Sequence, residues 1–322
     1  MCKEKKSKVI VIFGPTASGK TSLGLRIAKE LDGEIISADS MQIYKKLDIG
    51  TAKATKEEQA EIRHHLIDIC DINEKFSVYN YKKLCYRKIE EILSRGKLPI
   101  IVGGTGLYLN AIINNMKFDE ENIIENINQK EEQIKNEIEN LLETKGKDYI
   151  YSLLEKEDEE AAKKIHTNNV KRVIRALTIA RSGSKKSKSD KINDLWDKQD
   201  GPYDFIKIYI DIPREVLYNR INQRVDEMIK NGILEEAKYV KNLKLSIENT
   251  ALQAIGYKEF FKYIDSEETL GEAILKLKQA TRNYAKRQIT WFKKLGSDYT
   301  IDINDLKDDI YENIRRDLYE ER

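Results

Sequence analysis

Residues 9–31 read Val9-Ile10-Val11-Ile12-Phe13-Gly14-Pro15-Thr16-Ala17-Ser18-Gly19-Lys20-Thr21-Ser22-Leu23-Gly24-Leu25-Arg26-Ile27-Ala28-Lys29-Glu30-Leu31. An apolar run leads into G-x-x-x-x-G-K-[ST] spacing and then a helical pattern, which is the strand–loop–helix context of a P-loop. Glycines let backbone N–H groups approach phosphate oxygens without a Cβ in the way. The N-terminus of the following helix adds partial positive charge. Gly14, Pro15, Thr16, Ala17, Ser18 and Gly19 are therefore expected to cradle phosphates. Lys20 would reach the terminal one, and the Thr21 hydroxyl would help hold Mg²⁺. The motif implies a polyphosphate or a diphosphate ester without saying which.

Outward from this stretch, buried-strand patterns at 9–13, 34–38, 98–102 and 205–210 alternate with helical patterns at 21–31, 79–95 and 107–113. That alternation predicts an α/β fold with a P-loop parallel sheet covered by helices on both faces. Strand signals vanish between 117 and 201, where polar helices at 127–144 and 161–182 take over. The expected organisation is a first part of the core at 1–117, an inserted all-helical domain at 118–203, and core completion with C-terminal helices at 204–322. Residues 270–295 form one or two of those helices.

The 322 residues carry a formal net charge of +2, four prolines and three cysteines. Cys2, Cys70 and Cys85 are too few and scattered for a disulfide framework or zinc site, so a reducing, cytoplasmic setting is expected. No apolar run approaches membrane-spanning length. Charge is segregated. Acidic residues dominate 119–160, whereas 163–191 holds Lys163, Lys164, Lys171, Arg172, Arg175, Arg181, Lys185, Lys186, Lys188 and Lys191 against Asp190 alone. A second basic cluster includes Lys276, Lys278, Arg282, Lys286, Arg287, Lys293 and Lys294. Such surfaces suggest an anionic partner larger than a nucleotide, or simply solvated helix faces.

Four further patterns bear on chemistry. Asp39, at a strand end on the P-loop edge, is placed to coordinate Mg²⁺ or act as a general base, or to serve as a turn residue. The strand at 98–102 ends in Gly103-Gly104-Thr105-Gly106, with no carboxylate where ATP-hydrolysing P-loop proteins hold their metal. This favours a held diphosphate attacked by something other than water. Arg220 and Arg224 share a helical face and suit either a phosphate clamp or solvent. In Tyr284-Ala285-Lys286-Arg287-Gln288-Ile289-Thr290-Trp291-Phe292, basic and aromatic residues interleave. RNA binding and an amphipathic core helix fit that pattern equally.

Together these blocks resemble the tRNA dimethylallyltransferase, or tRNA isopentenyltransferase, family. The resemblance rests on 14–21, Asp39-Ser40-Met41-Gln42-Ile43-Tyr44, Asp48-Ile49-Gly50-Thr51-Ala52-Lys53, His65-Leu66-Ile67-Asp68, Gly103-Gly104-Thr105-Gly106-Leu107-Tyr108, Ile255-Gly256-Tyr257-Lys258-Glu259 and 284–292, in family order. It implies transfer of a dimethylallyl group from dimethylallyl diphosphate to N6 of adenosine 37 in tRNAs reading codons that begin with U. Asp39 would match the general base. Lys20, Thr21 and Arg220 would stabilise the departing diphosphate with Mg²⁺. Asp39, Ser40, Met41, Gln42 and Thr105 would surround the flipped adenosine. Lys171, Arg172, Arg175, Arg282, Lys286 and Arg287 would hold the tRNA anticodon stem-loop, and the chain is expected to act as a monomer.

Two departures stand out. The family commonly reads Ile-His-Pro-Asn-Asp where this chain has Ile165-His166-Thr167-Asn168-Asn169, and no cysteine follows Cys85, whereas cytosolic eukaryotic relatives often add a C-terminal zinc finger. Rival readings are an adenylate isopentenyltransferase acting on free nucleotide, a P-loop small-molecule kinase, and a nucleotide-gated RNA-binding protein.

Overall fold

The computed structural model describes residues 6–118, 125–182, 196, 198–245, 249–302 and 309–319. Its strands β1 (Ser7–Phe13), β2 (Gly33–Ala38), β3 (His64–His65), β4 (Leu98–Gly103), β5 (Tyr203–Asp211) and β6 (Tyr299–Asp302) form one sheet. The order is β3-β2-β4-β1-β5-β6 and every pairing is parallel. The first helices are α1 (Lys20–Glu30), α2 (Lys56–Glu61), α3 (Val78–Ser94) and α4 (Gly106–Ile113). Next come α5 (Glu125–Lys145), α6 (Lys147–Glu157), α7 (Glu159–Lys164) and α8 (Val170–Ser182). The last are α9 (Arg214–Lys230), α10 (Ile233–Asn242), α11 (Phe261–Ile264), α12 (Leu270–Leu295) and α13 (Asp309–Tyr319).

A strand with no solvent-facing side must be apolar on both faces. In β1, residues Val9 to Phe13 are fully buried. Ile10 and Ile12 pack with Leu23 and Ile27 of α1 and with Ile35, Ile100 and Val102 of neighbouring strands. On the opposite face the Phe13 ring meets Phe292 of α12 at 5.2 Å. Helices thus cover both faces, as the alternation predicts. Gly24 lets α1 lie close to β4, since a Cβ there would sit 2.8 Å from Val102.

Residues 1–115 and 200–322 make one compact unit, and 116–199 make another. The second unit contains α5 to α8 around its own core of Ile138, Ile150, Leu154, Val173 and Leu177. The continuous helix expected over 161–182 is in fact two. The chain breaks between α7 and α8, where Asn169 N–H donates to the His166 carbonyl at 2.7 Å and Asn168 N–H to His166 Nδ1 at 3.1 Å. Side-chain and backbone bonds inside 166–169 close this turn without the family's Pro and Asp. Lys185, Lys186, Lys188 and Lys191 lie outside the described residues.

Candidate active site

The P-loop leaves β1 and enters α1 through Gly19, whose φ of 95° is left-handed, as is Ala17 at 63°. No side chain caps the first turn of α1, so its N–H groups face the loop, as an anion site requires. Gly14 is forced by crowding, because a Cβ would meet the Ile210 carbonyl and Ser18 Oγ, each at 3.0 Å. Ser18 itself is buried and its hydroxyl has no partner.

Thr16, Lys20, Thr21, Ser37, Asp39, Gln42, Gly104, Arg224, Tyr284 and Gln288 line one cleft of about 660 Å³, measured with its open mouth. Ile35, Ala54, Ile67 and Val102 give the same cleft an apolar wall. Lys20 Nζ donates to the Pro15 carbonyl at 2.6 Å. Burial first, then the adjacent Arg224 guanidinium, lowers the Lys20 pKa to about 7, with Asp39 opposing. Arg224 is likewise lowered by burial and supported by Asp39, and its Nη1 donates to Thr16 Oγ1 at 3.2 Å. Two cations and a carboxylate therefore feel one another in a single desolvated space.

Asp39 Oδ1 accepts from Met41 N–H at 2.9 Å and Gln42 N–H at 3.4 Å, which fixes its carboxylate at the end of β2. Thr105 Oγ1 accepts from Ser40 N–H at 2.9 Å and donates to Ser40 Oγ at 3.3 Å, tying the β4 loop to the β2 loop. Ser40 and Met41 belong to that framework and are not among the cleft-lining residues. Of β1's two neighbours, β4 ends in Gly103 and Gly104 in the cleft, with no carboxylate. The other, β5, ends in Asp211, which is exposed and off the cleft.

Arg220 was matched to the leaving group, yet it is Arg224, one helical turn on, that lines the cleft, while Arg220 does not. The i, i+4 spacing fits both residues to one face, and only the packing of α9 against α12 decides which points inward. Arg282, expected at tRNA, is bonded within the protein. Its Nη1 donates to Asn222 at 2.8 Å and its Nη2 to Gln279 at 3.0 Å, so it ties α12 to α9. Lys286 and Arg287 on α12 are exposed, as are Lys171, Arg172 and Arg175 on α8.

Gln288 is a site residue that sequence reasoning missed. Its Oε1 accepts from Thr16 N–H at 2.8 Å and its Nε2 donates to the Gly104 carbonyl at 2.9 Å. The signal was present in Gly104 and Gly106. A Cβ at the first would lie 2.5 Å from Gln288 Nε2, and one at the second 2.5 Å from the Trp291 ring. The 103–106 and 284–292 blocks are two halves of one joint.

A phosphate cradle and a fixed carboxylate in one cleft, at the carboxyl edge of a parallel sheet, define a P-loop protein of the group-transferring kind. Known proteins sharpen this. The IPP transferase family model matches residues 42–295. A tRNA dimethylallyltransferase of a Thermoanaerobacter species is 45% identical over 313 residues, covering 97% of this chain and 96% of that protein. The crystal structure of the tRNA isopentenylpyrophosphate transferase of Bacillus halodurans superposes with a TM-score of 0.67 at 40% identity, covering 98% of each chain. That of a eukaryotic dimethylallyltransferase acting on tRNA gives a TM-score of 0.76 at 32% identity, over 96% of this chain and 77% of the other. The chain belongs to the tRNA dimethylallyltransferase family.

Proposed function

We propose that the chain transfers the dimethylallyl group of dimethylallyl diphosphate to N6 of adenosine 37 in tRNAs that read codons beginning with U, releasing diphosphate. The observation that carries this is the meeting of Asp39 with the Lys20–Arg224 pair in one cleft. A cationic end suits a diphosphate, and a carboxylate beside it suits an amine that must lose a proton.

The adenine N6 amine attacks the dimethylallyl carbon that bears the diphosphate. The carbon–oxygen bond breaks, and its electron pair leaves on the diphosphate. Lys20, Arg224, the P-loop N–H groups and the N-terminus of α1 stabilise the charge that develops there. Asp39 accepts the N6 proton. Ile35, Ala54, Ile67 and Val102 suit the prenyl chain and exclude water from it. Among the described residues no cluster of three or more His, Cys, Asp or Glu side chains offers a metal cage. Thr21 lines the cleft, and its hydroxyl would be the protein group that holds a Mg²⁺ bound together with the donor. When bound, it would neutralise the leaving group further.

Lys171, Arg172 and Arg175 on α8 and Lys286 and Arg287 on α12 are the groups proposed to contact the anticodon stem-loop. One incubation with labelled dimethylallyl diphosphate, Mg²⁺ and either tRNA or AMP tests the whole reading. Label in tRNA at adenosine 37 is expected. Label in AMP alone would move the acceptor to a free nucleotide, and label in neither would remove the transferase reading.

A further inference from the structure

Two blocks singled out by the sequence have no role in the chemistry above, Asp48-Ile49-Gly50-Thr51-Ala52-Lys53 and Ile255-Gly256-Tyr257-Lys258-Glu259. The structure joins them through Glu236 of α10. One oxygen of that carboxylate accepts from Asp48 N–H at 3.1 Å and Ile49 N–H at 2.9 Å. The other accepts from Gly50 N–H at 3.1 Å and from the Tyr257 hydroxyl. Three successive backbone donors converging on one carboxylate make a nest, a geometry that holds a loop in one conformation. Tyr257 is fully buried with its ring against Gly50, where a Cβ would lie 2.7 Å away. Lys53 closes the loop's far end on the Tyr44 carbonyl at 2.9 Å, Asp48 at 2.5 Å and Asp68 at 2.6 Å.

What this loop presents inward is a pair of carbonyls. Gln42 Nε2 donates to Thr51 O at 3.3 Å and to Ala52 O at 3.2 Å, and Gln42 Oε1 accepts from the Ser37 hydroxyl at 2.9 Å. Both N–H donors of Gln42 are thereby occupied, and the second lone pair of Oε1 is what it offers the cleft. Gln42 therefore faces a ligand as an acceptor, next in the chain to Asp39's own turn and in the same cleft.

We propose that Glu236, braced by Tyr257, is a positioning residue that fixes Gln42 as an acceptor-only group. On that footing Asp39 and Gln42 together require a hydrogen-bond-donating amine on the acceptor base. The inference rests on the reading of the Asp39–Gln42 end of the cleft as the acceptor site.

The test measures single-turnover transfer to tRNA at saturating donor, with donor and tRNA dissociation constants measured separately, in Glu236→Gln, Tyr257→Phe, Gln42→Ala and the Gln42→Ala/Glu236→Gln pair. Glu236→Gln replaces one carboxylate oxygen by an amide NH₂ that must face either the Asp48 and Ile49 N–H groups or the Gly50 N–H and the Tyr257 hydroxyl, so the loop loses half of its anchor. A misplacement of that order slows chemistry by about 10–10²-fold. In Glu236→Gln and Tyr257→Phe the donor and tRNA dissociation constants should stay within about twofold, since the P-loop and the basic side chains of α8 and α12 proposed to hold the two ligands are untouched. In the Gln42→Ala background, Glu236→Gln should add less than about threefold, because the group it acts through is gone. A full further loss there overturns the positioning role and leaves the acceptor site standing. Gln42→Ala at the wild-type rate overturns both. Should Glu236→Gln fail to fold, Tyr257→Phe keeps the carboxylate and its three N–H partners. Its smaller rate loss must equally disappear in the Gln42→Ala background, and persistence of the loss there overturns the proposal.

Discussion

At the scale of single residues, the cleft is shaped by two cations held close together. Lys20 sits at a pKa of about 7 because burial and Arg224 both disfavour its charge. A bound diphosphate reverses that balance and raises the pKa. Between the two values, binding must take up a proton, and donor affinity must weaken as pH rises from 7 toward the raised value. Calorimetry of donor binding at pH 8 in two buffers of different ionisation enthalpy should show this uptake, and equal heats in both would contradict it. Asp39→Asn keeps the shape but cannot take the N6 proton. Turnover should fall by about 10²–10⁴-fold while tRNA affinity holds, and a loss of only a few-fold would remove Asp39 from the base role. Arg224→Ala removes a charged hydrogen-bond donor worth about 1.5–3 kcal/mol, so donor KM should rise by at least about tenfold. Arg220→Ala should change it far less, and a larger effect at Arg220 would reverse the assignment. Lys20 and Asp39 were legible in the sequence because the P-loop spacing and a strand end locate them. Arg224 was not, because helical periodicity gives a face and not the direction in which that face is buried.

At the scale of elements, α12 holds the two halves of the site together. Its length comes from a capping box at Thr269 and Glu272 and an apolar stripe of Ala273, Leu277, Ala285 and Phe292. Gln288 lies on that stripe, where a buried polar group must be fully bonded. Gln288→Leu preserves volume but strands Thr16 N–H and the Gly104 carbonyl. Stability should fall by about 1–3 kcal/mol, read as a lower urea midpoint at an unchanged slope, and donor KM should rise with it. An unchanged midpoint would mean that water replaces both bonds and the joint is not structural. The same helix shows why sequence alone left its role open. Basic and aromatic residues interleave along it, but its inner face packs on the P-loop and Arg282 bonds to α9, so only its outer turn remains for a partner. Strands β3 and β6 were missed for a related reason. Two residues at His64–His65 carry no periodicity, and at Tyr299–Asp302 the buried positions reduce to Ile301 beside half-buried Tyr299. The four central strands carried the fold, β1 and β4 through continuous apolar runs, β2 through Ile35 and Ile36, and β5 through Ile206, Ile208 and Ile210 at alternate positions.

At the scale of the whole molecule, the near-zero net charge conceals two exposed basic faces. Lys171, Arg172 and Arg175 all point outward from α8, whose inner side is filled by Val173, Ile174 and Leu177. No hydrophobic demand places three cations there, and the helix would pack equally well with neutral residues outside. If these groups meet the anticodon arm, each neutralised phosphate releases counterions, and log affinity must fall with log salt. Reversing all three to Glu should therefore weaken tRNA binding and lower the magnitude of the salt slope by about 0.7–0.9 for each phosphate no longer neutralised. The same change at Lys286 and Arg287 should act in the same direction. Donor binding should stay at the wild-type value in both variants, because the P-loop and α1 are untouched. Arg282→Ala separates the two kinds of basic residue. Its guanidinium bonds within the protein, so it should lower stability while leaving the salt slope alone. Superimposable tRNA titrations across salt for wild type and both charge-reversed variants would refute the proposed RNA contacts. Asp39, Lys20 and Arg224 would then still define the transfer site, and the tRNA would have to be gripped by other surfaces of the chain.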